Sequence, residues 1–289
     1  MGGMAGIRGL IREQREPLLH VSVDSEPAPP AEHGHEHGHT PHLRAEQPPT
    51  IVLVHGIASS ATTFDFVVPL IRDDYRVIAV DLLGFGQSPQ PPDAEYTLEE
   101  HVDALAHTLR HLGLRHFTLV GHSLGCLIAS RYAATHRRSL DKLVLVSPPV
   151  YQSPSEIGDP RTRARVSGYL AAYRFFRENK DFTLANAAWV TKLLPIEHVM
   201  EITEQNWTPF VKSLENCIET QTIISDLATV DVPIEVVYGT LDEFLVPGSV
   251  AILSRMKGVT THPVHVNDHV IRRSMARVVA TAIGAAPAR

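Results

Sequence analysis

The sequence predicts an α/β fold, with a mostly parallel central sheet, helices on both faces and a helical cap inserted near one end. Three observations predict it. Short apolar runs such as Thr50-Ile51-Val52-Leu53-Val54, Arg76-Val77-Ile78-Ala79-Val80 and Lys142-Leu143-Val144-Leu145-Val146 have the length and composition of strands buried on both faces. Amphipathic stretches lie between them, so strand and helix alternate, which implies parallel pairing through crossovers. Over residues 150–227 the strand-like runs vanish and helical stretches take over, as an insertion over one end would require.

Composition sets the bounds. The 289 residues are 44% hydrophobic and 20% charged, enough apolar content for a sizeable core. A formal net charge of -6 supplies no basic footprint, which argues against nucleic acid as a partner. Two cysteines, Cys126 and Cys217, are too few for a disulfide framework, lack metal-ligand spacing and fit a reducing compartment. No apolar run reaches the ~18 residues of a membrane span. Residues 1–16 are too charged for a secretory signal, although Ile7, Leu10 and Ile11 can form one face of a short helix. A cytoplasmic location is the expectation.

Taken in order, residues 18–23 alternate weakly and read as a first strand. Residues 25–49, rich in Pro, His and Glu, cannot bury a core and read as a disordered loop. Within it His33, His35, His37 and His39 alternate with small or acidic residues, a pattern able to hold Zn²⁺ or Ni²⁺ loosely. A solvated insertion between strands is the simpler reading, because no fixed outer shell of partners accompanies the imidazoles. After the strand ending at Val54 comes a helix expected over 64–71, then the strand over 76–80. A glycine-punctuated loop follows, Asp81-Leu82-Leu83-Gly84-Phe85-Gly86-Gln87-Ser88. Thr97-Leu98-Glu99-Glu100 has the form of a capping box opening an amphipathic helix to about Leu112. The inserted block holds helical stretches over 161–179, 184–194 and 210–224. Strands are then expected over 233–238 and 260–266, with helices over 248–256 and 271–283. The chain therefore divides into a core part over 1–149, a helical cap over 150–227 and a second core part over 228–289.

The stretch Gly121-His122-Ser123-Leu124-Gly125 sits between an apolar strand and an alanine-bearing helix. Strand, sharp turn and helix with a serine at the apex is the context a nucleophile elbow needs. The serine backbone there takes a strained positive φ, and strand and helix nearly touch, so flanking side chains must be absent. The following backbone N–H groups, at the positive end of the helix, point to where an oxyanion forms.

Ligand sites of open parallel sheets gather at the carboxyl ends of strands. Ser123, Asp242 and His269 each follow a strand, in the order Ser, Asp, His. With Val54-His55-Gly56, the loop 81–88, Gly239-Thr240-Leu241-Asp242 and the late histidine, the chain resembles the α/β-hydrolase family over about residues 18–283. The resemblance implies roles residue by residue. Ser123 is the nucleophile, His269 the base and then the acid, and Asp242 the group that orients the imidazole. The oxyanion falls to the backbone N–H groups of Leu124 and Ile57. Rivals are His262 and His265 within the last strand, and Glu243, Asp226 and Asp268 among the acids. Asp81 reads as an acceptor for loop N–H groups, and His122 and His55 as bracing residues. Relatives with aspartate at the elbow, the haloalkane dehalogenases and epoxide hydrolases, are excluded by Ser123. Two departures from the family stand out. The loop 55–60 lacks the glycine string of many lipases, and Cys126 stands where many relatives have glycine.

The expected activity is hydrolysis of a carboxylic ester through an acyl-serine, with a small-molecule ester as partner and no metal or organic cofactor. Tyr169, Tyr173, Phe175, Phe176 and Trp189 in the cap suggest a small or medium apolar ester; Trp207 and Arg174 are further cap residues able to line a pocket. The alternatives are a carbon–carbon bond hydrolase of the meta-cleavage-product type, which needs a cation for the substrate carboxylate, and a slow-turnover ligand receptor.

Overall fold

The computed structural model describes residues 17–27, 48–150, 158–186, 202–220, 223–242, 244–245 and 248–284. The histidines at 33, 35, 37 and 39, the expected helix around Ile7, Trp189 and Glu243 lie outside these residues, as do the side chains of Tyr169 and Tyr173.

Seven strands form one sheet in the order β1-β3-β2-β4-β5-β6-β7. They are β1 (Val21–Ser25), β2 (Thr50–Val54), β3 (Arg76–Val80), β4 (Phe117–His122), β5 (Leu140–Val146), β6 (Ile234–Gly239) and β7 (Val259–Val264). Only the edge strand β1 runs antiparallel, against β3; every other neighbouring pair is parallel. Period-2 alternation in strands buried on both sides explains the layering. Val52 and Val54 of β2 face one apolar cluster, and Ile51 and Leu53 face the other.

The first cluster is closed by α2 (Leu98–His111) and α3 (Leu124–Thr135). Helix α2 begins where the capping box was expected. Thr97 Oγ1 accepts from the Glu100 N–H at 3.2 Å, and the Glu100 carboxylate accepts from the Thr97 N–H at 3.0 Å. Its apolar residues Leu98, Val102, Leu105 and Leu109 recur at helical spacing and are buried. The second cluster is closed by α9 (Arg273–Gly284), which buries Met275, Ala276, Val279, Ala282 and Ile283. Lys142 of β5 reaches under the end of α9 and donates to the carbonyls of Ala282 and Ile283 at 3.2 and 2.9 Å. A cation at a helix C-terminus satisfies carbonyls that have no partner inside the helix.

The helix expected over 64–71 is two shorter pieces, a 3-10 turn at Ala61–Phe64 and α1 (Val68–Ile71). Phe64, Val67 and Ile71 are buried in the second cluster, while Phe66 and Leu70 remain 46% and 48% exposed. Strand β1 starts three residues later than expected, and β7 ends two earlier.

Between β5 and β6 the described residues contain no strand. They form α4 (Pro160–Glu178), α5 (Lys180–Ala185), α6 (Trp207–Ser213), a π-helical turn at Leu214–Ile218 and α7 (Ile223–Leu227). The segment 212–217 is stitched to residues 94–101. Lys212 Nζ donates to the Ala94 carbonyl at 2.9 Å, Asn216 Nδ2 to the Glu95 carbonyl at 2.7 Å, and the buried His101 meets Ser213 Oγ at 3.1 Å. Gly84 is needed at this seam, since a side chain there would collide with Pro209 and Tyr96.

Candidate active site

Ser123 follows β4 and occupies the N-cap position of α3, with φ 52° and ψ -117°. This strained geometry is held from both sides. The Ser123 N–H donates to the Val146 carbonyl at 3.1 Å, and the Ser123 carbonyl accepts from the Cys126 N–H at 2.8 Å. The two glycines of the motif sit where helix meets sheet. A Cβ on Gly121 would lie 2.6 Å from the carbonyl carbon of Gly125, and one on Gly125 would lie 2.6 Å from the His55 oxygen. Cys126 is fully buried, and its thiol points to the carbonyls of Gly121 and Val146 at 3.1 and 3.2 Å. Burial pushes that thiol well above its usual range, so it is a packing group.

The Ser123 hydroxyl is half-buried and is not used to cap α3. Among the described residues it makes no hydrogen bond.

Asp242 and His269 are brought together. Nδ1 of His269 lies 3.1 Å from Oδ1 and 3.0 Å from Oδ2 of Asp242, so Nδ1 carries a proton that it donates to the carboxylate. Both side chains are buried. Burial alone would raise the Asp242 carboxyl, but the charge and hydrogen bond of His269 outweigh it and hold it below the usual range. The Phe244 N–H, donating at 3.0 Å, adds to this. So does the buried Ser147 hydroxyl, which stops short of hydrogen-bonding geometry. The Phe244 ring packs edge-on to His269 at 4.8 Å.

The rivals are occupied elsewhere or face away. His262 bonds Glu235 inside the sheet at 2.6 Å, and His265 is exposed. Asp226 pairs with Arg131 at 2.8 Å and Asp268 with Arg272 at 2.8 Å. Asp81 accepts the N–H groups of Ala61 and Gln87 at 2.8 and 3.0 Å, which fastens the loops after β2 and β3 to each other.

Ile57 follows β2 in a loop braced by His55. Nδ1–H of His55 donates to the Gly56 carbonyl at 2.7 Å, and its Nε2 accepts the Leu82 N–H at 2.8 Å. Burial, only partly opposed by the Gly56 bond and Asp81, lowers the His55 pKa to about 4, so this tautomer is neutral. Leu124 is the first residue of α3. The backbone N–H groups of Ile57 and Leu124 have no hydrogen-bond partner among the described residues, as expected of a helix start and a loop that offer donors to a ligand.

Two neighbours, Asn267 and Ser147, carry no role in the motif pattern, and a third, His122, is the bracing residue expected from the sequence. Asn267, 2% exposed, donates from Nδ2 to the carbonyls of Asp268 and Val270 at 2.9 and 3.0 Å and accepts from Ser274 at 2.8 Å, bracing the loop that bears His269. Ser147 ends β5 with φ 51°. Its place at a carboxyl strand end was the available signal. His122 donates from Nε2 to the carbonyl of His269 at 3.0 Å. Among the described residues, no group of three or more His, Cys, Asp or Glu is arranged to hold a metal, and no helix is long and apolar enough to cross a membrane.

Known proteins give the fold its context. The family model described as alpha/beta hydrolase fold matches residues 49–250. Probable lysophospholipase BODYGUARD 4 of Arabidopsis thaliana is 40% identical over 112 residues, 37% of this chain and 26% of that protein. Probable lysophospholipase BODYGUARD 1 of the same plant is 39% identical over 113 residues, 37% of this chain and 24% of that protein. The chain thus aligns with about a quarter of the length of these relatives. Among solved structures, a haloalkane dehalogenase variant from Bradyrhizobium elkanii superposes with a TM-score of 0.66 at 20% identity, covering 83% of this chain and 90% of that one. A meta-cleavage product hydrolase mutant gives 0.56 at 20% identity, covering 82% and 91%. Both likenesses concern the fold.

Proposed function

Because the chain belongs to the alpha/beta hydrolase fold family, we propose that it is a serine hydrolase that cleaves a carboxylic ester through an acyl-serine intermediate. The observation that carries this reading is the buried His269–Asp242 pair at 3.0 Å, at the same end of the sheet as the positive-φ Ser123.

In this reading Ser123 Oγ attacks the ester carbonyl and passes its proton to Nε2 of His269. The developing oxyanion takes the N–H groups of Leu124 and Ile57, each such donor being worth about 10²–10³ in turnover. Asp242 keeps the Nδ1–H tautomer and stabilises the imidazolium. His269 then protonates the departing alcohol; it next takes a proton from water as the hydroxide attacks the acyl carbonyl, and returns that proton to Ser123 Oγ as the acid leaves. No step requires a metal or organic cofactor. In this reading the described helices between β5 and β6 belong to a cap over the site. The two buried free thiols fit the reducing, cytoplasmic setting expected from the sequence.

A small or medium apolar ester is the proposed substrate, and the lysophospholipase names of the plant relatives add lysophospholipids to the panel. The test is hydrolysis of p-nitrophenyl butyrate with and without Ser123→Ala, alongside labelling by a fluorophosphonate. Wild type should turn over and label at Ser123, and the variant should do neither while keeping its melting temperature. A variant as active as wild type would overturn the assignment. A meta-cleavage diketone acid in the same panel separates ester from carbon–carbon bond hydrolysis.

A further inference from the structure

Three parts of the site meet on one imidazole that the proposed reaction does not use. His122 precedes Ser123 at the end of β4 and is 3% exposed. Its Nε2–H donates to the backbone carbonyl of His269 at 3.0 Å, across 147 positions of sequence. The two rings lie 5.1 Å apart between centroids, tilted by 50°. On the other side of the ring is Gly56, where a Cβ would fall 3.2 Å from Nδ1 of His122 and 3.1 Å from Cβ of Ser123. One side chain therefore touches the base loop, adjoins the nucleophile and abuts the loop that carries Ile57.

We infer that His122 is a positioning residue, which ties the backbone of the base to the strand end that carries the nucleophile and sets both against the Ile57 loop. The inference rests on the roles given above to Ser123 and His269.

The chemistry explains why an imidazole suits this place. A carbonyl accepts only, so the bond to His269 fixes His122 as the Nε2–H tautomer, leaving Nδ1 as a buried acceptor with no partner among the described residues. An apolar ring of the same size would fill the space but would leave the His269 carbonyl without this donor, a costly loss inside a protein. The ring must also remain uncharged, because a cation here would oppose the positive charge that forms on His269 during turnover. Burial first, and then the neighbouring His269, lower the His122 pKa to about 3, so it stays neutral at any working pH.

The test compares His122→Phe with His122→Gln in the full chain. Phenylalanine keeps the ring volume and removes the donor; glutamine places an amide N–H near the position of Nε2. Small misplacements of reacting groups cost on the order of 10²-fold. The Phe variant should therefore lose about 10- to 100-fold in kcat on p-nitrophenyl butyrate, with KM within about twofold. The Gln variant should recover most of the loss. Amide hydrogen exchange over residues 266–272 should quicken in the Phe variant and return towards wild type in the Gln variant. His122→Leu repeats the comparison if the Phe variant melts early. Wild-type kcat and exchange in the donor-less variants, or a folded Gln variant as slow as Phe, would overturn the inference. An inert wild type would instead remove the Ser123 assignment, and the exchange rates would still decide whether the tether exists.

Discussion

Asp242 presents both carboxylate oxygens to one nitrogen of His269, at 3.1 Å from Oδ1 and 3.0 Å from Oδ2. Either oxygen alone would hold the ring's tautomer; together they also fix its orientation. Asp242→Asn replaces one acceptor by an N–H that cannot face Nδ1–H. The ring is then expected to change tautomer and lose its free Nε2. Turnover of p-nitrophenyl butyrate should fall about 10³- to 10⁴-fold. Steady-state rates on a variant with an unchanged circular dichroism spectrum check this, and a loss under tenfold would contradict it.

The elbow's glycines have a steric test with an internal control. Gly125→Ala would drive a Cβ to 2.6 Å from the His55 oxygen and 2.9 Å from the Val54 carbonyl carbon, both backbone atoms of β2 and its loop. Overpacking against backbone should cost about 3 kcal/mol or more. Gly113 also has a positive φ, 67°, but nothing lies within 4 Å of its would-be Cβ. Gly113→Ala should cost only the backbone strain, about 1 kcal/mol. Thermal melts of the two variants should differ clearly, and equal shifts would count against the packing account.

Three buried histidines make stability depend on pH. Burial chiefly lowers His55 to about 4, and His101 and His122 to about 3, from an ordinary 6.5. Below 6.5 the unfolded chain takes up protons that the folded chain refuses. Their contribution is complete above that pH and declines as pH falls towards 4. With three sites the slope approaches about 4 kcal/mol per pH unit. Urea melts at several pH values between 7.5 and 5 measure it. His101→Phe should flatten the slope by about a third, and a profile level across this range would refute the linkage.

Asn267 holds the loop that carries His269 by its own amide. Asn267→Ala removes donors from the carbonyls of Asp268 and Val270 and an acceptor from Ser274. Leaving buried groups unpaired should cost about 1–3 kcal/mol. Turnover should fall as well, because His269 lies two residues on. A variant with wild-type melting temperature and kcat would show that the loop is held without it.

The sheet was readable because burial on both faces demands unbroken apolar runs, and Ile51–Val54 and Val77–Val80 supply them. The capping box at Thr97 was equally local. The occupation of His262 was legible too, since a histidine inside a strand is committed to its neighbours, and His262 is bonded to Glu235. The contacts of Asn267, Phe244, Ser147 and His122 were not legible. Each depends on which distant backbone its side chain reaches, and no spacing records that. The broken helix at 61–71 was missed for a related reason. Phe64, Val67 and Ile71 are buried at helical spacing, so periodicity recorded the stripe but not the 3-10 turn that interrupts the helix.

The bond from His122 to the carbonyl of His269 joins the middle of the chain to a loop that follows the last strand, 147 positions on. A molecule in which the loop after β7 has yet to dock has no His269 beside the end of β4. Under the proposed roles, the pair that reacts is completed only by that long-range contact, so a chain in which it has not formed would be unable to cleave an ester.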